Sequence, residues 1–160
     1  MYLKELEIAK KAAVMAGKAI MEVYESGDFG IEVKEDDSPL TLADKAANSI
    51  IVNLIREEFP SHAILSEEEK DDLSRLDNDL CFVIDPLDGT KEFIKQNGQF
   101  TVNIALSYRH RTVMGVIYVP VTGEIYYAAK GHGSFMEENG KCIRLHVNSE
   151  DKQRSDLNVV

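Results

Sequence analysis

The sequence predicts an α+β fold in which two N-terminal helices pack on a mostly antiparallel sheet. Residues 3–24 and 41–59 place apolar side chains at helical spacing. From residue 101 onward, short apolar or alternating segments follow one another, separated by Gly, Pro and Asn-Gly turn signals. Helices first and a meander of strands afterwards is the pattern of helices covering one face of an antiparallel sheet.

A chain of 160 residues, 44% apolar and 29% charged, is long enough for one domain with a proper core. The formal charge of −10, with no basic run longer than Arg109-His110-Arg111, argues against a nucleic-acid duplex as partner. An anionic substrate would need metal ions or local dipoles to hold it. Cys81 and Cys142 lack zinc-site spacing, and Cys81 reads as a core residue. There is no basic-then-apolar leader pattern and no membrane-length apolar run, so the default location is the cytoplasm.

The first helix carries Leu3, Leu6, Ala9, Ala13, Ala16, Ile20 and Val23 on one face, with Lys10, Lys11, Lys18 and Glu22 on the other. Its small residues predict a close neighbour. Ile31–Lys34 is a weak strand, and Glu35–Pro39 an acidic loop. The second helix begins near Thr41, buries Ala47, Ile50, Ile51, Leu54 and Ile55, and stops before Pro60. Asp44 lies three residues before Ala47, on the buried side of the first turn. Thr41-Leu42-Ala43-Asp44 also fits a capping box, the reading favoured by the helix alone. His62–Leu65 reads as a short strand leading directly into the acidic run Ser66-Glu67-Glu68-Glu69, which sets Glu67 at the edge of a core. Later strands are read at residues 101–106, 113–119, 124–129, 134–136 and 143–147.

The central stretch is Leu80–Phe93. An apolar strand delivers Asp85 and Asp88 to its end, with Pro86-Leu87 between them and Gly89-Thr90 following. Two carboxylates about 4 Å apart repel by roughly 4 kcal/mol at an effective dielectric near 20. A hard cation such as magnesium would relieve this, and solvated acids in a proline turn would avoid it; the stretch alone leaves both open. The spacing differs by one residue from the Asp-x-Asp-Gly-Thr of haloacid dehalogenase-type phosphatases, which in a regular strand reverses the face of the second acid. An EF-hand is excluded because Leu87 stands where an oxygen ligand is required.

Several ordered segments resemble the inositol monophosphatase superfamily, in the form carried by its CysQ-type 3′(2′),5′-bisphosphate nucleotidases. They are Ser38-Pro39-Leu40-Thr41-Leu42-Ala43-Asp44, Leu65-Ser66-Glu67-Glu68, Asp85–Ile94, Gly98–Leu106, Gly115–Pro120 and Lys130–Phe135. The resemblance spans the whole chain and implies a sugar-phosphatase-type N-terminal domain. It implies that Glu67, Asp85, the Leu87 carbonyl and Asp88 bind two or three Mg²⁺ ions. Asp44 and Thr90 would orient or deprotonate the attacking water, with Glu67 in the same catalytic set. Asp88, Gly89 and Thr90 would hold the phosphate.

The implied activity is magnesium-dependent, lithium-sensitive hydrolysis of the 3′-phosphate of adenosine 3′,5′-bisphosphate, or of its sulfated relative. Inositol or sugar phosphates are the sister specificity, and a non-catalytic metal-binding regulatory domain is the reading from another class. Members carry a later Trp-Asp-x-x-Ala-Gly segment, whereas this sequence has no Trp. The expectation is therefore a metal-binding domain over residues 1–150. Residues 151–160 would be a linker and the start of a C-terminal α/β domain. The 160 residues alone are expected to be inactive. Oligomeric state and contact with the inner membrane face are left open.

Overall fold

A computed structural model describes residues 2–147. The expected linker and new strand within residues 149–160 lie outside the described residues. Helix α1 (Leu3–Ser26) ends at Gly27 in the left-handed conformation. A two-stranded antiparallel hairpin, β1 (Glu32–Val33) and β2 (Pro39–Leu40), follows; the expected acidic loop thus closes on a paired Pro39-Leu40. Helix α2 spans Leu42–Glu58. The remaining strands are β3 (Ala63–Ser66), β4 (Leu80–Asp88), β5 (Thr101–Tyr108), β6 (Arg111–Val119), β7 (Glu124–Ala129), β8 (Gly133–Glu138) and β9 (Lys141–Leu145). One turn of helix, α3 (Thr90–Ile94), joins β4 towards β5.

The seven longer strands form one sheet in chain order. β3 and β4 are parallel, and every later neighbour is antiparallel. Helices α1 and α2 pack together on one face, α1 over β5–β7 and α2 over β3–β4. Alternation sends Phe82, Ile84, Val102, Ile104, Leu106 and Val116 to that face, where all are buried against Ala9, Ala13, Ala16, Ala47 and Ile51. The small side chains of α1 do admit a close neighbour, because a Cβ on Gly17 would collide with the Tyr118 ring.

Three expectations for the elements fail locally. Leu3 is 47% exposed, because it stands at the end of α1 beyond the sheet. Lys10 is folded back over the Tyr127 ring and paired with Glu137 at 3.1 Å, so a residue assigned to the solvent face covers apolar surface instead. Strand β9, expected to be half-buried, is exposed along its length as the sheet edge.

Among the described residues, no helix covers the other face of the sheet. Leu65, Val83, Ile117, Tyr126, Ala128 and Leu145 line a broad apolar trough that also takes in Glu67, Asp85 and Asn103.

Candidate cation and phosphate site

Strand pairing brings the acids together. Ser66 pairs with Ile84 in parallel register, and the Glu67 N–H continues the ladder by donating to the Ile84 carbonyl at 3.0 Å. Glu67 therefore emerges beside Asp85. On the other side, Asp85 faces Asn103 and Asp88 faces Thr101. Three steps along β4 oppose two along β5, so one residue is bulged. Thr101 and Asn103 are two apart and share a face, and so Asp85 and Asp88 do as well. The bulge cancels the face reversal that the extra residue would impose in a regular strand. Pro86 has no N–H to lose from the ladder there.

Asp85 is the strained member. Its Oδ1 is buried and, among the described residues, has no hydrogen-bond partner. Burial, then the negative charges of Glu67 and Asp88, push its pKa up to about 7 from an ordinary value of 3.8. Asp88 is exposed and accepts from the Asn103 amide at 3.0 Å. Glu67 is half-exposed, and one of its oxygens accepts from the Lys34 ammonium at 3.0 Å. Among the described residues, no three His, Cys, Asp or Glu side chains are already gathered as a metal site. Lys34 engages one oxygen of Glu67 and Asn103 one oxygen of Asp88, so two of the three acids already have a partner.

Asp44 is 1% exposed in the first turn of α2. Its Oδ2 accepts from the Thr41 N–H at 2.7 Å and the Thr41 hydroxyl at 2.5 Å, which completes the capping box. Its Oδ1 accepts from the Thr90 hydroxyl at 3.1 Å. The cap and the predicted pairing with Thr90 are thus both present, one on each carboxylate oxygen. The Thr90 hydroxyl also lies 3.2 Å from the Leu87 carbonyl oxygen, and its single proton serves one of these acceptors at a time.

Gly89 sets this turn. Its φ is 94°, and a Cβ there would stand 2.7 Å from the Gln99 carbonyl oxygen. Helix α3 is only five residues long, so it offers N–H groups rather than a developed macrodipole.

Sequence reasoning missed two supports. Lys34 bridges Glu67 and the nearly buried Glu68, at 3.0 and 2.7 Å. Ser66 donates to Asn48 at 2.6 Å, and Asn48 donates to Glu69 at 3.2 Å, which fixes the end of β3 to α2 on either side of Glu67. The polar Asn48 inside an otherwise apolar helix stripe was the available signal.

Residues 2–160 match the Inositol monophosphatase family, and the chain belongs to it. A relative from Salmonella typhimurium named 3′(2′),5′-bisphosphate nucleotidase CysQ is 45% identical over 144 residues, covering 89% of this chain and 58% of its own. Escherichia coli Nus factor SuhB is 40% identical, covering 87% of this chain and 51% of its own. The crystal structure of CysQ from Bacteroides thetaiotaomicron superposes with a TM-score of 0.73 at 43% identity, covering 95% of this chain and 53% of that one. The chain thus spans about half the length of the relatives it matches. Among the described residues, no helix is long and apolar enough to cross a membrane.

Proposed function

We propose that the protein containing this chain is a magnesium-dependent phosphomonoesterase that removes the 3′-phosphate of adenosine 3′,5′-bisphosphate. The observation that carries the reading is the unpartnered, buried Oδ1 of Asp85 beside two further acids. Such an atom calls for a cation, and an all-oxygen donor set suits a hard one. Glu67, Asp85, the Leu87 carbonyl and Asp88 are the groups that would hold two or three Mg²⁺ ions. Bound there, the ions would supply charge neutralisation and a more acidic water.

The chain's own residues then divide the remaining work. Asp44 holds the Thr90 hydroxyl, whose oxygen is left free to accept from the attacking water and orient it. Glu67 would belong to the same catalytic set, as a group that can receive a proton. The N–H groups of Gly89 and Thr90 are the donors for the phosphate, with Asp88 beside them. Asp88 is itself an anion and can approach the phosphate only through a cation.

The substrate reading rests on likeness to proteins named bisphosphate nucleotidase. The family name itself favours a second reading, inositol monophosphate. Phosphate release from each compound, with Mg²⁺ and with EDTA, separates the two. Faster release from inositol monophosphate would replace the first reading. Unchanged release in EDTA would remove the role of the cation. Residues 1–150 are, on this reading, one cation-binding domain that works together with the further length found in the relatives.

A further inference from the structure

Helix α3 carries Thr90 and is too short to hold its own place. A single turn of helix is unstable in water by itself, so packing must set where it stands. Phe93, one turn beyond Thr90, supplies that packing. It is fully buried among three aromatic rings. Tyr24 of α1 lies at 5.3 Å between centroids, Phe100 at 5.2 Å, and Phe29 at 5.1 Å and edge-on. The Phe93 N–H donates to the Gly89 carbonyl at 2.9 Å, so Phe93 and the Gly89-Thr90 turn move as one piece.

Phe29 also holds the other helix of the site. At the start of α2 the Thr41 hydroxyl accepts from the Ala43 and Asp44 N–H groups, which leaves the Leu42 N–H over. The Phe29 carbonyl accepts from that N–H at 2.9 Å. Gly30 keeps the approach close, since a Cβ there would stand 2.6 Å from Leu42 Cγ. Phe29 thus touches α3 with its ring, and with its main chain it touches α2 just before Asp44.

The separation of these two helices decides a close competition. The Thr90 hydroxyl has Asp44 Oδ1 at 3.1 Å and the Leu87 carbonyl oxygen at 3.2 Å. Leu87 lies on the same turn as Thr90 and follows any shift of α3, whereas Asp44 does not. A small drift of α3 from α2 therefore lengthens the Asp44 bond alone and turns the proton to Leu87. We propose that Phe29 is a positioning residue, fixing α3 against α2 at the separation where Thr90 donates to Asp44. The proposal rests on the reading of Asp44 and Thr90 as the pair that orients the attacking water.

The test is steady-state phosphate release by the full-length protein that contains this chain. It is run with Mg²⁺, and with adenosine 3′,5′-bisphosphate and inositol monophosphate as the two substrates. Phe29→Ala, Phe29→Leu and Phe29→Tyr are made in the wild-type and Thr90→Val backgrounds, and thermal melting checks that each is folded. Phe29→Leu should lower kcat about 10–100-fold and leave KM within about twofold, because misplacing an orienting group costs rate and not substrate affinity. Phe29→Ala should fall at least as far; where it does not fold, Phe29→Leu decides. Phe29→Tyr keeps the ring and should stay within about threefold of wild-type kcat. In the Thr90→Val background there is no hydroxyl to orient, so Phe29→Leu should cost no further kcat. Equal losses in both backgrounds, a wild-type kcat in Phe29→Leu, a raised KM alone, or a loss in Phe29→Tyr as large as in Phe29→Leu would overturn the positioning role and leave the Asp44–Thr90 reading standing. A wild-type kcat in Thr90→Val, or no release from either substrate, removes that reading and the proposal with it.

Discussion

Asp85→Asn removes one negative charge from the bulge and keeps the side-chain shape. The fold holds the Asp85 pKa at about 7, against an ordinary 3.8. A raised folded-state value means that the carboxylate form opposes folding. The site is therefore least costly below about pH 4 and increasingly costly as pH rises towards about 7. At 1.36 kcal/mol per unit, a shift of about three units sets a ceiling near 4 kcal/mol. Asp85 is only partly buried, so screening by water and salt brings the expected cost to about 1–2 kcal/mol. Urea unfolding in EDTA, followed by circular dichroism, measures it. At about pH 8 the Asn variant should be more stable than wild type by that amount, with the m-value unchanged. At about pH 5 the gain should shrink to roughly a third. Added Mg²⁺ should stabilise wild type in proportion to the logarithm of its concentration and leave the variant unmoved. An Asn variant less stable than wild type at pH 8, or a gain equal at both pH values, would refute the claim that the acids strain the metal-free fold.

Two further outcomes test the turn at the site and the core at the other end of β3. Gly89→Ala forces a side chain into the left-handed region and against the Gln99 carbonyl; it should cost about 2 kcal/mol or more by urea unfolding and cut turnover together with stability. His62 lies among Phe59, Phe82 and Glu5, and burial lowers its pKa despite the Glu5 carboxylate at 4.0 Å. A depressed value on a base means its contribution is present above about pH 6.5 and lost as pH falls. Between about pH 6.5 and 5, His62→Phe should lose less stability than wild type does over the same interval, measured as paired thermal melts.

The fold was legible because its signals are periodic and local. The 3.6-residue stripes of α1 and α2 and the turn residues between β5 and β9 each specify an element without reference to distant residues. Asp44 was legible as a cap for the same reason, since Thr41 is its neighbour in sequence. Its bond to Thr90 joins positions 46 residues apart and has no local signature; only the family resemblance suggested it. Lys34 was invisible for a related reason. In sequence it is the last residue of a weak alternating segment, and its two partners lie in an acidic run that reads as solvated. The bulge between Asp85 and Asp88 was the subtlest feature. A strict two-residue period puts those acids on opposite faces, and only pairing with Thr101 and Asn103 shows that the chain takes an extra step between them.

Asp44 shows why stability and chemistry must be read separately at this site. One oxygen caps α2 and the other holds Thr90, so removing the side chain would lose both functions and identify neither. Asp44→Asn divides them. Its amide oxygen can still accept from the Thr41 N–H, which preserves the cap and should keep unfolding stability within about 1 kcal/mol of wild type. Its NH₂ group then faces Thr90 as a donor. The Thr90 oxygen must accept that bond, and its proton must turn to the Leu87 carbonyl, the one other acceptor within reach. The hydroxyl then points its proton away from position 44 and has one lone pair left instead of two, so its acceptor direction towards water changes. If Asp44 and Thr90 orient the nucleophile, this variant of the full-length protein that contains the chain should fold and bind Mn²⁺ as wild type does, yet lose about a hundredfold or more in phosphate release. A variant that keeps wild-type turnover would leave Asp44 as a helix cap and nothing else.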